Sequence, residues 1–205
     1  MNCTRVKASL PLDADRHKLM TILETRRLIL RQFVTNDLDA LSRVLSDADA
    51  MRHYPAPYDR AGVEAWIARN QQRYRDDSVG LWAMVLKANG EMIGDCGIVR
   101  QEVEGEHLFE IGYHLRRDLW GQGFASEAAT ACRNWAFANL GVDRLISLIR
   151  PENIRSRRVA ERNGMTVWKE VEWHGLRHSV YAVTRGERDL PALETTRPKS
   201  ARKRT

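Results

Sequence analysis

The sequence predicts an α/β domain: a mixed, mostly antiparallel central sheet of about seven strands flanked by about four helices. Three observations carry that expectation. Segments of period-two alternation and of helical spacing succeed one another in the order β α α β β β α β α β β. Asn89-Gly90 joins two apolar runs as a hairpin turn, which makes those neighbours antiparallel. A glycine-rich segment from Trp120 to Ala125 stands between a strand and an alanine-rich helix.

Each element has its own local reason. Alternation over Arg26 to Arg31 reads as a strand, and Thr35 as the cap of a helix carrying Leu38, Leu41, Val44 and Leu45. After Pro55-Ala56-Pro57, Asp59 caps a second helix whose Val63, Trp66, Ile67, Asn70 and Tyr74 form one stripe. Leu81 to Leu86 and Met92 to Val99 are the hairpin strands, and Leu108 to Leu115 is a further strand. The glycine-rich loop opens a helix over Gly123 to Leu140. Arg144 to Ile149 is a strand, Asn153 to Asn163 a short helix stopped by Gly164, and Met165 to Val183 a closing hairpin around Gly175.

A chain of 205 residues with 43% hydrophobic content supports one core without a composition break. The expected organisation is a disordered extension over 1–20, one domain over 21–186 and a basic disordered tail over 187–205. The formal charge of +6 invites a nucleic-acid reading. Between Thr21 and Thr184, however, 22 basic side chains balance 22 acidic ones, so the surplus lies in the tails. Ribosome or nucleic-acid contact is then left to Arg197, Lys199, Arg202, Lys203 and Arg204. Residues 111–184 hold 11 basic against 7 acidic groups, which makes the second half the partner of an anionic ligand. Cys3, Cys96 and Cys132 form no C-x-x-C pair, and no run reads as a signal peptide or membrane span; a cytoplasmic protein is expected.

Two glycines one residue apart at a helix start let backbone N–H groups approach an anion, where unpaired donors and the helix dipole favour negative charge. A dinucleotide fingerprint would need a third glycine where Ser126 stands, and Asp143 precedes its strand instead of ending it. A phosphate loop of the G-K-[ST] type is absent. The segment Trp120-Gly121-Gln122-Gly123-Phe124-Ala125-Ser126-Glu127-Ala128, followed thirty residues later by Asn153 to Met165, resembles the GNAT N-acetyltransferase superfamily. More narrowly it is similar to the branch of ribosomal-protein N-terminal acetyltransferases, over about residues 21–185. In one position the chain departs from the superfamily: Asp118 stands three residues before the first glycine, where Gln or Arg is frequent. Arg116 and Arg117 are the expected substitutes for that charge.

The resemblance implies a GNAT fold, acetyl-CoA as co-substrate with no metal, and transfer of the acetyl group to a primary amine by direct attack in a ternary complex. The acceptor is a protein N-terminal α-amine or a small molecule such as an amino acid, polyamine or antibiotic; a module that senses acyl-CoA without turnover is the alternative. By the same resemblance, the main chains of Ile111, Tyr113 and Leu115 pair with the pantetheine arm. Backbone amides of Gly121, Gln122, Gly123, Phe124 and Ala125 hold the pyrophosphate, with Arg116 supplying charge beside them, and Arg155, Arg157 and Arg158 either neighbour the 3′-phosphate or form a solvated helix face.

The reaction needs a neutral amine, a stabilised oxyanion and a proton for the leaving thiolate. Glu110, on the strand alongside the cofactor, is the expected base; otherwise it is a solvent-facing strand glutamate. Alternation places it on the face of Gly112 and His114. Asn153 is either a pantetheine partner or an N-cap, the two roles being compatible. Ser156 is either the acid or a plain helix-surface serine, since the tyrosine that many superfamily members use has no counterpart between Tyr113 and Tyr181. The resemblance puts acceptor specificity in the first two helices and the last hairpin, with Tyr54, Tyr58, Trp66, Trp173 and His174 lining the site. His174 and His178 share a spacing that suggests a metal on a helix, but Gly175 makes the segment a hairpin.

Overall fold

A computed structural model describes residues 21–186; the expected terminal extensions, and the basic side chains of the tail, lie outside the described residues. Eight strands form one sheet in the order β1-β2-β3-β4-β5-β6-β8-β7. They are β1 (Thr21–Glu24), β2 (Leu28–Arg31), β3 (Leu81–Leu86), β4 (Met92–Val103), β5 (Glu106–Leu115), β6 (Arg144–Ile149), β7 (Thr166–Trp173) and β8 (Leu176–Thr184). Four helices cover it: α1 (Leu38–Leu45), α2 (Arg60–Asp76), α3 (Phe124–Asn139) and α4 (Ile154–Arg162). The strand beyond the seven expected is β1, whose four residues turn back on β2 through Thr25 to Arg27. All pairings are antiparallel except β5 with β6. No helix among the described residues is long and apolar enough to cross a membrane.

Helical spacing selects what each face buries. Leu41, Val44 and Leu45 of α1, with Val63, Trp66 and Ile67 of α2, close one core against Leu81, Ala83 and Val85. Each buried Leu, Val or Ile among them contributes about 1.5–3 kcal/mol by leaving water. On the opposite face Phe124, Ala128, Ala129, Cys132 and Ala136 of α3 pack on Ile98, Ile111 and Leu115, the small alanines letting the helix lie close to the strands. Cys96 and Cys132 face each other across that contact as free thiols, sulfur to sulfur 3.6 Å.

The start of α1 differs in detail from the expected Thr35 cap. Thr35–Asp37 is a 3₁₀ turn without a side-chain cap bond. Asp37 instead accepts both Arg31 guanidinium nitrogens, each at 2.7 Å, and the Val34 N–H at 2.9 Å. This ion pair is almost fully buried and ties β2 to the helix layer. Asp59 does cap α2, accepting the Gly62 N–H at 2.7 Å.

Candidate active site

Strand β5 is the axis of the site. On one side it pairs with β4, where the Arg116 N–H donates to the Ile93 carbonyl at 2.9 Å. Antiparallel pairs alternate between bonded and unbonded residues, so the main chains of Ile111, Tyr113 and Leu115 point the other way, toward β6. That strand runs parallel to β5 and is in register at Glu110–Ile146. Past this point side chains complete the ladder. Leu148 N–H donates to Glu110 Oε1 at 3.0 Å, and Ser147 Oγ donates to the Ile111 carbonyl at 2.8 Å. The Leu115 carbonyl accepts the Trp120 indole N–H at 2.9 Å. Tyr113, between them, has no strand partner on that side among the described residues.

Two cavities meet at this parting. One, of about 290 Å³, is walled by the glycine-rich loop, the first turn of α3 and one face of α4. The other, of about 540 Å³, holds Glu110, Gln101, Arg69, Arg73, Arg150 and the aromatic rings of Tyr58, Trp66 and Trp173. His53, Tyr54, Tyr113, His114, Asn153 and Ser156 line both.

In the first cavity the glycines have a conformational purpose. Gly121 and Gly123 sit at φ +79° and +82°, a region that costs a residue with a Cβ roughly 1–2 kcal/mol. Gly123 is the N-cap of α3 and, lacking a side chain, leaves the first-turn N–H groups without a side-chain cap. Phe124, Ala125 and Ser126 of that turn line the cavity. Arg27 fixes the loop from β2: its guanidinium donates to the Gln122 carbonyl at 3.0 Å and to Glu127 Oε2 at 2.6 Å, and lies 4.1 Å over the Phe124 ring. Thr25 Oγ and the Arg27 N–H hold the other Glu127 oxygen at 2.6 and 2.9 Å. These donors, led by Thr25, hold the Glu127 carboxyl below its ordinary range against the cost of burial.

The cationic wall comes from α4. Arg155, Arg158 and Arg162 recur at i, i+3 and i+7, so one helical face brings all three to the cavity. Arg155 also lies 4.5 Å over the Trp120 ring. Arg157 falls on another face: it donates to the Tyr181 hydroxyl at 2.9 Å and to the Pro151 carbonyl at 3.1 Å, and lines neither cavity. Arg116 and Arg117, expected to supply the charge in place of Asp118, are likewise placed elsewhere. Arg116 is paired with Asp118 and Glu91, and Arg117 with Asp47 and Asp49. Gln122 contributes its carbonyl to the Arg27 clamp and its side chain lies near the Asp118 carbonyl, outside both linings.

At the junction Asn153 caps α4, its Oδ1 accepting the Ser156 N–H at 3.2 Å, while the residue still faces both cavities. The Tyr113 hydroxyl donates to the Ser156 carbonyl at 2.9 Å, and burial pushes its pKa up. Glu110 lies in the second cavity with Oε2 accepting from Gln101 at 2.7 Å. Burial raises its proton affinity above the usual carboxylate range, opposed by the Leu148 and Gln101 donors. Each oxygen keeps a lone pair beyond these bonds. The closing hairpin turns at His174 and Gly175, and the His174 and His178 rings pack edge-on to Trp173, 4.1 and 5.5 Å away.

One arrangement at the junction joins residues that no local sequence pattern connects. Asp95, fully buried on β4, meets His114 Nδ1 at 2.7 Å, and His114 Nε2 meets the Tyr54 hydroxyl at 2.6 Å. The Trp66 indole N–H donates to the second Asp95 oxygen at 3.0 Å. A signal existed: Asp95 interrupts an apolar strand, and counting back from a turn at Glu104-Gly105 sets it opposite His114.

Residues 27–166 match the acetyltransferase (GNAT) domain family. The chain is 37% identical over 156 residues to the uncharacterized protein YkkB of Bacillus subtilis (strain 168), covering 75% of this chain and 91% of that one. Among solved structures it is similar to an acetyltransferase from Agrobacterium tumefaciens str. C58, at TM-score 0.69 and 27% identity over 90% of this chain and 100% of that one. It also shares its fold with RimL, a ribosomal L7/L12 alpha-N-protein acetyltransferase solved with coenzyme A, at TM-score 0.64 and 18% identity over 80% and 97% of the two chains.

Proposed function

The chain belongs to the GNAT acetyltransferase family, whose reaction is acetyl-CoA-dependent N-acetylation, and we propose that it joins both substrates in one complex, the amine attacking the thioester directly. The observation that carries this reading is the meeting of a cavity suited to a polyanion with one that holds a carboxylate of raised proton affinity. Uncapped N–H groups at the start of α3, glycines that allow close approach, and Arg155, Arg158 and Arg162 opposite them fit the phosphates of CoA. Main-chain pairing with the pantetheine arm falls chiefly to Tyr113, since Ser147 and Trp120 occupy the Ile111 and Leu115 carbonyls.

Glu110 takes the proton of the incoming ammonium, directly or through water, and its anchoring by Leu148 and Gln101 holds it toward the second cavity. Direct attack is supported by where the thiols lie. Cys96 and Cys132 are buried against each other between β4 and α3, and no described cysteine lines either cavity to form an acetyl-enzyme. Free buried thiols also fit a reducing cytoplasmic compartment.

For the acceptor, a protein or peptide α-amine is the reading we favour. At neutral pH roughly a tenth of such groups are already neutral, against under about a thousandth of lysine-like amines, so a single carboxylate suffices. Arg69, Arg73 and Arg150 around the second cavity oppose a polycationic amine. Initial rates with N-terminal peptides, amino acids, polyamines and aminoglycosides at matched concentrations, with products identified by mass spectrometry, test this. Peptide α-amines should lead; a polyamine or aminoglycoside turned over fastest would overturn the acceptor class.

A further inference from the structure

The Asp95–His114–Tyr54 chain runs from the core to the point where both cavities open. Asp95 is fully buried, and among the described residues His114 is its ion-pair partner. An isolated carboxylate in a core costs several kcal/mol unless donors match it. The Trp66 indole supplies one donor at 3.0 Å, and His114 Nδ1 at 2.7 Å must supply the other as Nδ1–H. That assigns the tautomer: His114 Nε2 is the acceptor and the Tyr54 hydroxyl the donor at 2.6 Å. Tyr54 comes from the loop between α1 and α2 and keeps 40% of its surface exposed, so its ring reaches from the cavities to a hydroxyl withdrawn against His114. The groups facing His114 are Asp95 from β4, Glu110 from its own strand, Tyr54 from the loop and Trp66 from α2.

We propose that Tyr54 carries the proton of the attacking amine to the departing sulfur, with His114 as its temporary store and Asp95 as the counter-charge; the proposal rests on the acetyl transfer argued above. As the neutral amine forms its C–N bond to the thioester carbonyl, the Tyr54 oxygen takes the N–H proton and its own proton passes to His114 Nε2. The imidazolium forms beside the Asp95 carboxylate. As the C–S bond breaks, His114 returns the proton and Tyr54 delivers one to the sulfur. One proton has moved from nitrogen to sulfur, CoA leaves as a thiol, and the protein is unchanged. Among the described residues no histidine stands behind the Ser156 hydroxyl as His114 stands behind that of Tyr54, and the Tyr113 hydroxyl is committed to the Ser156 carbonyl.

The test uses the full chain with acetyl-CoA and the best amine, comparing wild type with Tyr54→Phe, His114→Gln and Asp95→Asn. Single-turnover rates, acetyl-CoA Kd by calorimetry and Tm are measured for each. Tyr54→Phe should lower the rate by on the order of 100-fold, with Kd and Tm nearly unchanged, since positioned acid–base groups contribute about 10²–10⁴. His114→Gln can still accept the tyrosine's hydrogen bond but cannot hold the proton, and should lose a similar factor. Full rate in folded Tyr54→Phe overturns the relay and leaves acetyl transfer standing. Full rate in His114→Gln reduces His114 to an orienting group and overturns it as well. A wild-type protein that turns over no amine removes both the relay and the reading beneath it.

Discussion

Glu110 Oε1 accepts the Leu148 N–H at 3.0 Å across the parting of β5 and β6, so one side chain both completes the sheet and presents a carboxylate to the second cavity. Its raised pKa gives the sign of the pH dependence. The group acts only when ionised, so activity falls as pH drops through its pKa, and burial moves that acid limb above the usual carboxylate range. Glu110→Gln should remove this limb: the rate falls most above the pKa, where the wild-type carboxylate is ionised, and the two rates converge below it. The folded state disfavours the charge, so the neutral isostere should not lower Tm at neutral pH. A wild-type pH–rate profile superimposed on that of the variant would remove Glu110 from the chemistry.

The α4 arginines separate by helical phase. Arg158→Ala or Arg162→Ala should raise KM for acetyl-CoA by roughly three- to tenfold, an effect screened by salt, with Tm little changed. Arg157→Ala, which removes donors to Tyr181 and Pro151, should lower Tm and leave KM alone. Steady-state kinetics and thermal melts distinguish the two outcomes.

Much of this was legible in the sequence, and what was not has a common physical origin. The Gly121–Gly123 turn, the Asp59 cap and the Asn89-Gly90 hairpin are local: spacing and turn chemistry within a few residues determine them. The Arg27–Glu127 clamp and the Tyr54–His114 contact join residues 100 and 60 apart, brought together only by the sheet order and an irregular loop. Strand β1 is too short for its alternation to register, and pairing with β2 is what defines it. Arg155, Arg157 and Arg158 are neighbours in sequence, yet Arg157 lies on a different helical face from the other two, and Arg162 returns to theirs. With the helix start fixed at Asn153, a 3.6-residue period separates the two faces.

The glycine loop yields a third prediction. No heavy atom lies within 4 Å of a Cβ built on Gly121, so Gly121→Val is opposed by backbone conformation and not by a clash. It should weaken acetyl-CoA binding at least tenfold by calorimetry, at a stability cost of only about 1–2 kcal/mol. Asp118→Gln should bind normally, because Glu91 still engages Arg116.

The buried Arg31–Asp37 pair is a matter of stability alone. Asp37→Ala strands a guanidinium in the core and should cost about 3–5 kcal/mol in chemical denaturation. A loss under about 1 kcal/mol would mean the pair is solvated in practice.

Free-thiol release from acetyl-CoA, followed for the purified full chain with and without a peptide bearing a free α-amine, decides whether this is an enzyme or a sensor. Acetyl transfer predicts amine-dependent release with one N-acetylated product per thiol, slowed in Glu110→Gln. Saturable acetyl-CoA binding with no release for any amine would contradict it.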